Sequence, residues 1–194
     1  MEEKDLQTIK NITVSGRIGS GATTLAKGVA DVLQWEMLDG GKILRKVQNE
    51  LGANVYETSK RPDHFDLEYE EKIKYILTNE THRVVQSHLA GFDAQGIEGV
   101  FKILVVCEDD EGNDKPEIRI DRLVNRDLVS IDDAKHEIRE REKQNLEKWR
   151  RLYAENNTEW VYWDPSYYDF IINTYKYNKD EALQKVLASL GITT

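Results

Sequence analysis

The sequence predicts an α/β fold in which a doubly wound parallel sheet is flanked by helices. The first observation behind this prediction is that short apolar segments alternate with amphipathic helical segments along the 194 residues. The second is a glycine-rich turn at residues 16–21, which joins the first apolar segment to the first helical one. A chain of this length with 39% hydrophobic residues suits one domain with a sizeable core, so residues 1–194 are predicted to form a single domain.

Hydrophobic spacing predicts each element in chain order. Ile12 and Val14 mark a strand at residues 11–15, and apolar residues at intervals of four from Leu25 to Leu33 mark the helix that follows. The other strand candidates are residues 35–38, 83–87, 101–107, 160–163 and 168–172. Helices are predicted at 42–51, 65–77, 118–128 and 131–153, with a last helix between Asn178 and Gly191. A loop is expected at 52–62 and turns are expected at 91–99.

The turn between the first strand and the first helix has the frame of a phosphate-binding loop, G-x-x-x-x-G-x-T. Gly16, Gly21 and Thr23 occupy the defining positions. Glycine allows the backbone to approach an anion closely, and the N–H groups of the loop and of the helix N-terminus bind phosphate. Thr23 is the candidate ligand of Mg²⁺. The candidate nucleotide-binding residues of this segment are Gly16, Arg17, Ile18, Gly19, Ser20, Gly21, Ala22, Thr23 and Thr24.

The loop lacks the lysine that the general motif carries, because Ala22 stands in its place. Losing one charge-assisted hydrogen bond costs about 1.5–3 kcal/mol, which weakens nucleotide binding without abolishing it. Arg17, inside the loop, is a candidate to supply the missing charge; the alternative is that Arg17 is a solvent-facing loop residue.

A second group of candidate residues is cationic and lies on the predicted helices that follow residue 118. Arg119, Arg122 and Arg126 recur at helical spacing, and Arg139 and Arg141 lie on the next helix. Arginines on a mobile segment can close over phosphates and stabilise charge in a transition state, so this segment is a candidate lid. The alternative is a solvated helix whose arginines pair with interspersed glutamates.

Gly41 and Arg45 follow the second predicted strand and form a third candidate site. A helix there would bring Arg45 near a second phosphate, and the alternative is an ordinary surface helix. None of the four histidines has the spacing of a metal site, and no Ser/His/Asp array indicates hydrolysis.

Composition excludes several classes of partner. A net charge of −9 argues against binding to polymeric nucleic acid, whereas a small anion needs only a few local cations. The longest apolar stretch, residues 100–107, is too short to span a bilayer, and the N-terminus has no apolar signal region. A single cysteine, Cys107, fits a reducing compartment. The sequence therefore predicts a cytoplasmic protein, and we expect a monomer.

Five segments in order along the chain resemble the cytidylate kinase-like family, especially its short archaeal-type cytidylate kinases. They are ITVSGRIGSGATTLAKGVADVL, DGGKILRKV, VVQSHLAGFDA, IRIDRLVNRDLVSIDDAKHEIREREKQNLEKWRRLY and YYDFIINT. The third segment is usually written with Glu-Gly-Arg-Leu-Ala-Gly, and the last as Tyr-Asp-hydrophobic-Ile-Asn-Thr. The resemblance covers residues 11–190 and depends on the ordered set of segments, since any one of them alone is weak.

The resemblance implies a P-loop kinase fold with a five-stranded parallel sheet flanked by helices. It also implies a monophosphate-binding segment at 39–82 and a lid region with its following helix at 108–153. It implies transfer of the ATP γ-phosphate to the monophosphate of CMP or dCMP, with Mg²⁺. It assigns phosphate and Mg²⁺ contacts to the glycines and threonines of the loop, with Thr23 on the metal. Acceptor-site roles are implied for Gly41, Arg45, Asp66 and His88. Lid roles are implied for Arg122, Arg126, Arg139 and Arg141; with Arg17, we take Arg139 and Arg141 as the catalytic candidates, and Arg122 and Arg126 as nucleotide contacts.

The chain departs from the family pattern at Ala22, and Ser87 and His88 replace glycine and arginine in the acceptor segment. His88 could meet a phosphate if protonated, but its neutral form is the default at pH 7. Three hypotheses therefore stay open: a kinase for a nucleoside monophosphate, a nucleotide-binding pseudokinase, and a P-loop kinase for another small acceptor.

Overall fold

The computed structural model describes residues 4–42 and 61–192, apart from the side chains of residues 126 and 127. Its five strands form one parallel sheet, as predicted, and their order is β2-β3-β1-β4-β5. The strands are β1 (Asn11–Gly16), β2 (Glu36–Asp39), β3 (Arg83–Gln86), β4 (Val100–Val106) and β5 (Phe170–Asn173). The helices are α1 (Ala22–Leu33), α2 (Asp63–Asn79), α3 (Ala90–Asp93), α4 (Pro116–Asp127), α5 (Ile131–His136), α6 (Glu142–Tyr153) and α7 (Lys179–Ser189). A π-helical segment, Glu137–Arg141, joins α5 to α6.

The strand β1 lies at the centre of the sheet. All six of its residues are buried, as expected where helices cover both faces. One face carries α1 and α7, whose Leu25, Val29 and Val186 pack with Ile12 and Ile103 of the sheet. The other face carries α2 and α3, which pack against Val85. In the sheet, β3 and β2 lie on one side of β1, and β4 and β5 lie on the other. Ligands of such sheets bind at this switch point, beside the carboxyl ends of the strands.

Three predicted segments differ from the structure. Residues 160–163 form turns instead of a strand, because Trp160 and Tyr162 are buried in an aromatic cluster with Trp149 and Leu89, and β5 itself pairs with β4. The helix predicted over 131–153 is interrupted by the π-helical segment, and the turns predicted at 91–99 include the end of the short helix α3. A helix begins at residue 40, but the predicted extent 42–51 and most of the predicted loop 52–62 lie outside the described residues.

Candidate active site

The loop between β1 and α1 has the backbone conformation of an anion-binding turn. Gly19 and Gly21 have φ angles of 77° and 99°, in the left-handed region that favours glycine. Gly21 is the N-cap of α1 and provides no side-chain acceptor for the first turn of the helix. The N–H groups of that turn lack intrahelical partners, and the helix N-terminus carries partial positive charge. The loop therefore offers main-chain donors to an anion without a lysine.

The loop also lies very close to its neighbours. A Cβ atom on Gly16 would come within 2.7 Å of the Val105 carbonyl oxygen, and one on Gly19 within 2.7 Å of the Arg119 carbonyl oxygen. Glycine is required at both positions because no side chain fits between the loop, β4 and α4.

The predicted metal ligand Thr23 lies at the carboxyl end of the sheet beside Gln86, the last residue of β3. The Thr23 hydroxyl donates to Gln86 Oε1 at 3.2 Å. Both are neutral oxygen ligands, the type that Mg²⁺ accepts while keeping several waters and phosphate oxygens. Among the residues that the structure describes, no cluster of three or more His, Cys, Asp or Glu side chains could hold a metal ion. A metal at Thr23 would thus be held largely by the nucleotide that it accompanies.

Arg17 is bound by carboxylates from two other elements. Its Nε donates to Glu142 Oε1 at 3.0 Å, its Nη2 contacts the same oxygen, and its Nη1 lies 3.2 Å from Asp114 Oδ2. The ring of Trp163 covers one face of the guanidinium, 4.5 Å away. Burial alone would lower the pKa of Arg17, but the hydrogen bond and the charge of Glu142 raise it overall.

Arg119 completes a closed arrangement of charges around the loop. Its side chain is only 1% exposed and contacts Glu142 Oε2 at 3.0 Å and Asp114 Oδ2 at 2.7 Å. It also donates to the Ile18 carbonyl oxygen at 2.7 Å. Arg17, Glu142, Arg119 and Asp114 thus alternate in sign around a ring, which we call the loop ring.

A cavity of about 460 Å³ opens beside the loop. Its volume is in the range of small-molecule sites, and it combines apolar walls with a few polar groups. Leu25, Leu123 and Ala182 give apolar surface, and Asn125 and Thr174 give polar groups. The predicted residues Gly19, Gly21, Thr24 and Arg122 also line it. The cavity therefore adjoins the phosphate loop where the rest of a bound nucleotide would lie.

Arg122 is held at the edge of this cavity by the loop and by the turn after β5. It donates to the Ser20 carbonyl oxygen at 3.2 Å, to Thr174 Oγ1 at 2.9 Å and to the Thr174 carbonyl oxygen at 2.7 Å. Arg126 lies one turn further along α4, and its side chain is outside what the structure describes.

The structure describes three of the four predicted acceptor residues, which are Gly41, Asp66 and His88. The His88 Nδ1 atom lies 2.8 Å from the Gly16 carbonyl oxygen, which fixes the proton on Nδ1 because a carbonyl only accepts. Asp66 is 1% exposed and is bound by Arg61, by Lys148 at 2.6 Å and by the Trp149 indole at 3.5 Å. Gly41 lies in the first turn of the helix that begins at residue 40, and Arg45 lies outside the described residues.

The two lid arginines have opposite environments. Arg139 is exposed in the π-helical segment, whereas Arg141 is buried and pairs with Glu137. No described contact brings either side chain to the phosphate loop.

Sequence reasoning missed three groups of this site: Gln86 beside Thr23, the Glu142 and Asp114 carboxylates, and Thr174 beside the cavity. Two of these groups had a signal in the sequence, since Gln86 lies in the predicted strand 83–87 and Thr174 lies two residues after the predicted strand 168–172. Glu142 had no such signal, because it is 125 residues from Arg17 and follows an irregular turn of helix.

A parallel sheet with this strand order, and a glycine-rich phosphate loop between its central strand and a helix, define the P-loop kinase class of fold. Two solved structures share the fold. A gluconokinase from Sinorhizobium meliloti superposes with a TM-score of 0.55 at 14% identity, covering 94% of this chain and 91% of that one. A shikimate kinase from Acinetobacter baumannii gives a TM-score of 0.52 at 16% identity, covering 96% of each chain.

Sequence comparison defines the family within this class. The model of the cytidylate kinase-like family matches residues 11–176. A protein of Haloarcula marismortui named cytidylate kinase is 31% identical over 179 residues, 91% of this chain and 86% of that protein. The chain belongs to the cytidylate kinase-like family. Among the residues that the structure describes, no helix is both long and apolar enough to cross a membrane.

Proposed function

We propose that this protein is an ATP-dependent nucleoside monophosphate kinase that phosphorylates CMP or dCMP. The observation that carries the proposal is the phosphate loop at the N-terminus of α1, with Gly19 and Gly21 at positive φ and a 460 Å³ cavity beside it. Membership of the cytidylate kinase-like family supports a cytidine nucleotide as the acceptor.

In this proposal the donor nucleotide lies along the loop and the cavity. The main-chain N–H groups of the loop bind the β- and γ-phosphates, and the base enters the cavity between Leu25 and Leu123. Thr23, oriented by Gln86, would hold Mg²⁺, which supplies neutralising charge to the phosphates. Arg122, fixed at the cavity edge, is placed to contact the nucleotide.

The acceptor occupies the side of the sheet beyond β3, in the segment 39–82 together with His88. An oxygen of the acceptor phosphate attacks the γ-phosphorus in line, the bond to the ADP leaving group breaks, and ADP departs. The nucleophile is already anionic, so catalysis consists of positioning and charge stabilisation. The residues 108–153 supply the arginines that close over the phosphates, and the enzyme acts as a monomer on free nucleotides in the cytoplasm.

The experiment is a coupled assay of ADP release with each ribo- and deoxyribonucleoside monophosphate. We expect turnover with CMP or dCMP at a kcat/KM at least about tenfold above that with UMP or AMP, since one lost hydrogen bond to a base costs about 1–3 kcal/mol. The absence of acceptor-dependent turnover with every monophosphate would contradict the proposal.

A nucleotide-binding pseudokinase is a second candidate function. Ala22 in place of the loop lysine and the uncharged Thr23–Gln86 pair favour it, because neither supplies charge where it develops during transfer. The same assay separates the two functions when it is combined with thermal melting: nucleotide-dependent stabilisation without turnover supports the pseudokinase. Shikimate and gluconate, tested as acceptors, cover the third hypothesis, a kinase for another small acceptor.

A further inference from the structure

We propose that Glu142 is a positioning residue for the phosphate-binding loop, acting through the loop ring, and that Arg17 serves this ring and does not touch the phosphates. The proposal rests on the nucleotide binding proposed above. It names the group that orders the loop, and it assigns Arg17 a role other than replacement of the missing lysine.

All three nitrogens of the Arg17 guanidinium lie beside carboxylate oxygens. Two of its nitrogens contact Glu142 Oε1, the third lies 3.2 Å from Asp114, and Trp163 covers a face at 4.5 Å. Because two nitrogens contact one carboxylate oxygen, the orientation of the planar guanidinium is fixed as well as the position of its charge. Arg17 would have to break its hydrogen bonds to Glu142 and its ion pair with Asp114 before it could turn to a phosphate.

The loop ring holds two consecutive loop residues from outside the loop. Arg17 is held through its side chain, and Ile18 through its carbonyl oxygen by Arg119. Glu142 joins the two arginines, with one carboxylate oxygen on each. A loop that is ordered before its ligand arrives loses less conformational freedom on binding, so the ring favours anion binding by the main chain.

The charges of the ring balance, which fits a positioning role. Two guanidinium groups face two carboxylates, and Glu142 is only 6% exposed. Burial raises the pKa of Glu142, but the hydrogen bond from Arg17 and the charge of Arg119 lower it overall, so its carboxylate is ionised at neutral pH. The ring therefore gives the loop shape without adding net charge to the phosphate site.

Glu142 lies at an irregular point of the helix. Glu142 directly follows the π-helical segment, and helix turns of that kind occur often at functional sites. Within the segment, Ile138 packs beside Ile18 in one apolar cluster. Ile138 and Glu142, four residues apart, both face the loop region.

The first test compares Arg17→Lys with Arg17→Met by measuring the Kd of MgATP by calorimetry and kcat by the coupled assay. Lysine keeps the charge but cannot hold both carboxylates through a planar fork. We expect both variants to raise the Kd about tenfold and to change kcat less than threefold. Recovery of the native Kd by lysine alone, or a hundredfold loss of kcat in the methionine variant, would show that Arg17 acts on the phosphates and would overturn the proposal.

The second test is a double-mutant cycle of Arg17→Met with Glu142→Gln. If both residues act through one ring, the double variant raises the Kd about as much as either single variant, about tenfold. A Kd raised about a hundredfold in the double variant, as for independent contributions, contradicts the proposal. So does tighter ATP binding by Glu142→Gln, which would mean that the carboxylate competes with phosphate for Arg17.

Glu140→Gln is the matched control, because Glu140 is exposed two residues before Glu142 and should leave the Kd unchanged. If Glu142→Gln does not fold, the two Arg17 variants decide the question alone, since Arg17 is on a surface loop. Calorimetry also separates this proposal from the proposed function: a wild-type protein that binds MgATP without turnover would refute the kinase and still test the ring.

Discussion

At the scale of single residues, Ala22 changes the chemistry expected of a phosphate loop. Its side chain is 6% exposed and belongs to the core cluster of α1, so position 22 contributes packing in this protein. In the proposed function, anion binding then depends on main-chain N–H groups and on the helix N-terminus, which need particular backbone angles and no particular side chain.

Gly19→Ala should therefore damage the site more than any change of loop charge. Residue 19 has a φ of 77°, and an added Cβ would lie 2.7 Å from the Arg119 carbonyl oxygen. We expect a loss of about 1–3 kcal/mol in the free energy of unfolding, from the left-handed backbone and the clash together. The Kd of MgATP should rise at least about tenfold, measured by calorimetry alongside chemical denaturation.

Gly112→Ala is the control for this prediction. Gly112 has a φ of 84° but nothing within 4 Å of an added Cβ, so the backbone cost is present without the clash. Its Kd for MgATP should equal that of the wild type. Equal effects of both variants on the Kd would show that close packing at Gly19 is unimportant for binding.

The residues of the loop could be predicted from sequence because their roles depend on local backbone chemistry. Gly16, Gly21 and Thr23 are recognisable by spacing, and the strand before them and the helix after them are visible in the hydrophobic pattern. The partners of Arg17 could not be predicted, since Glu142 and Asp114 approach the loop only through the fold. Neither could the binding of Asp66 by Lys148, which joins α2 to α6.

At the scale of elements, α2 and α3 meet through two buried carboxyl groups. Glu70 is 4% and Asp93 is 3% exposed, and the only cation that the described residues place on this pair is Lys74, 3.3 Å from Asp93. Burial raises the pKa of both groups, and the neighbouring Asp93 carboxylate raises that of Glu70 further. The folded protein therefore holds protons here that the unfolded chain releases above a pH of about 4.

Stability should consequently fall as the pH rises from about 4 through the raised folded pKa values. Each extra proton bound by the folded state gives a slope of up to about 1.4 kcal/mol per pH unit. In Asp93→Asn one of the two groups no longer titrates and the other loses its charged neighbour, so the slope should be smaller. Urea denaturation between pH 4 and pH 8 measures it, with the exposed Asp121→Asn as control.

An unchanged slope in Asp93→Asn would contradict the idea that the pair takes up protons on folding. The same slope change in Asp121→Asn would show that the effect is one of overall charge.

The elements that could not be predicted share one physical cause, which is competition between local pattern and tertiary packing. Residues 160–163 have strand propensity, but Trp160 and Tyr162 are buried in the aromatic cluster against Trp149 of α6. The π-helical segment has no signal in the hydrophobic spacing, because Ile131, Ala134 and Ile138 also fit an α-helix. The parallel direction of the strands, by contrast, follows from their alternation with helices.

At the scale of the whole molecule, the phosphate loop joins the largest core cluster, which extends from β1 through α1 to α7. A ligand bound at the loop should then stabilise the cooperative unit and not the loop alone. For 194 residues, a ligand at 100 times its Kd adds about 2.7 kcal/mol and raises the Tm by about 5–10 °C.

We expect MgATP and inorganic triphosphate both to raise the Tm in differential scanning fluorimetry, because in the proposed function the loop binds phosphate through the main chain. Adenosine, which lacks phosphate, should raise it by less than about 2 °C. Stabilisation by adenosine equal to that by MgATP would mean that the cavity and not the loop dominates binding.

The two outer strands of the sheet, β2 and β5, have four residues each. A strand at the rim of a sheet offers unpaired N–H and C=O groups to other molecules, and a short rim offers few of them. With a net charge of −9, copies of this protein also repel one another. Concentrated solutions should accordingly resist edge-to-edge aggregation, which favours crystallisation and spectroscopy at high protein concentration.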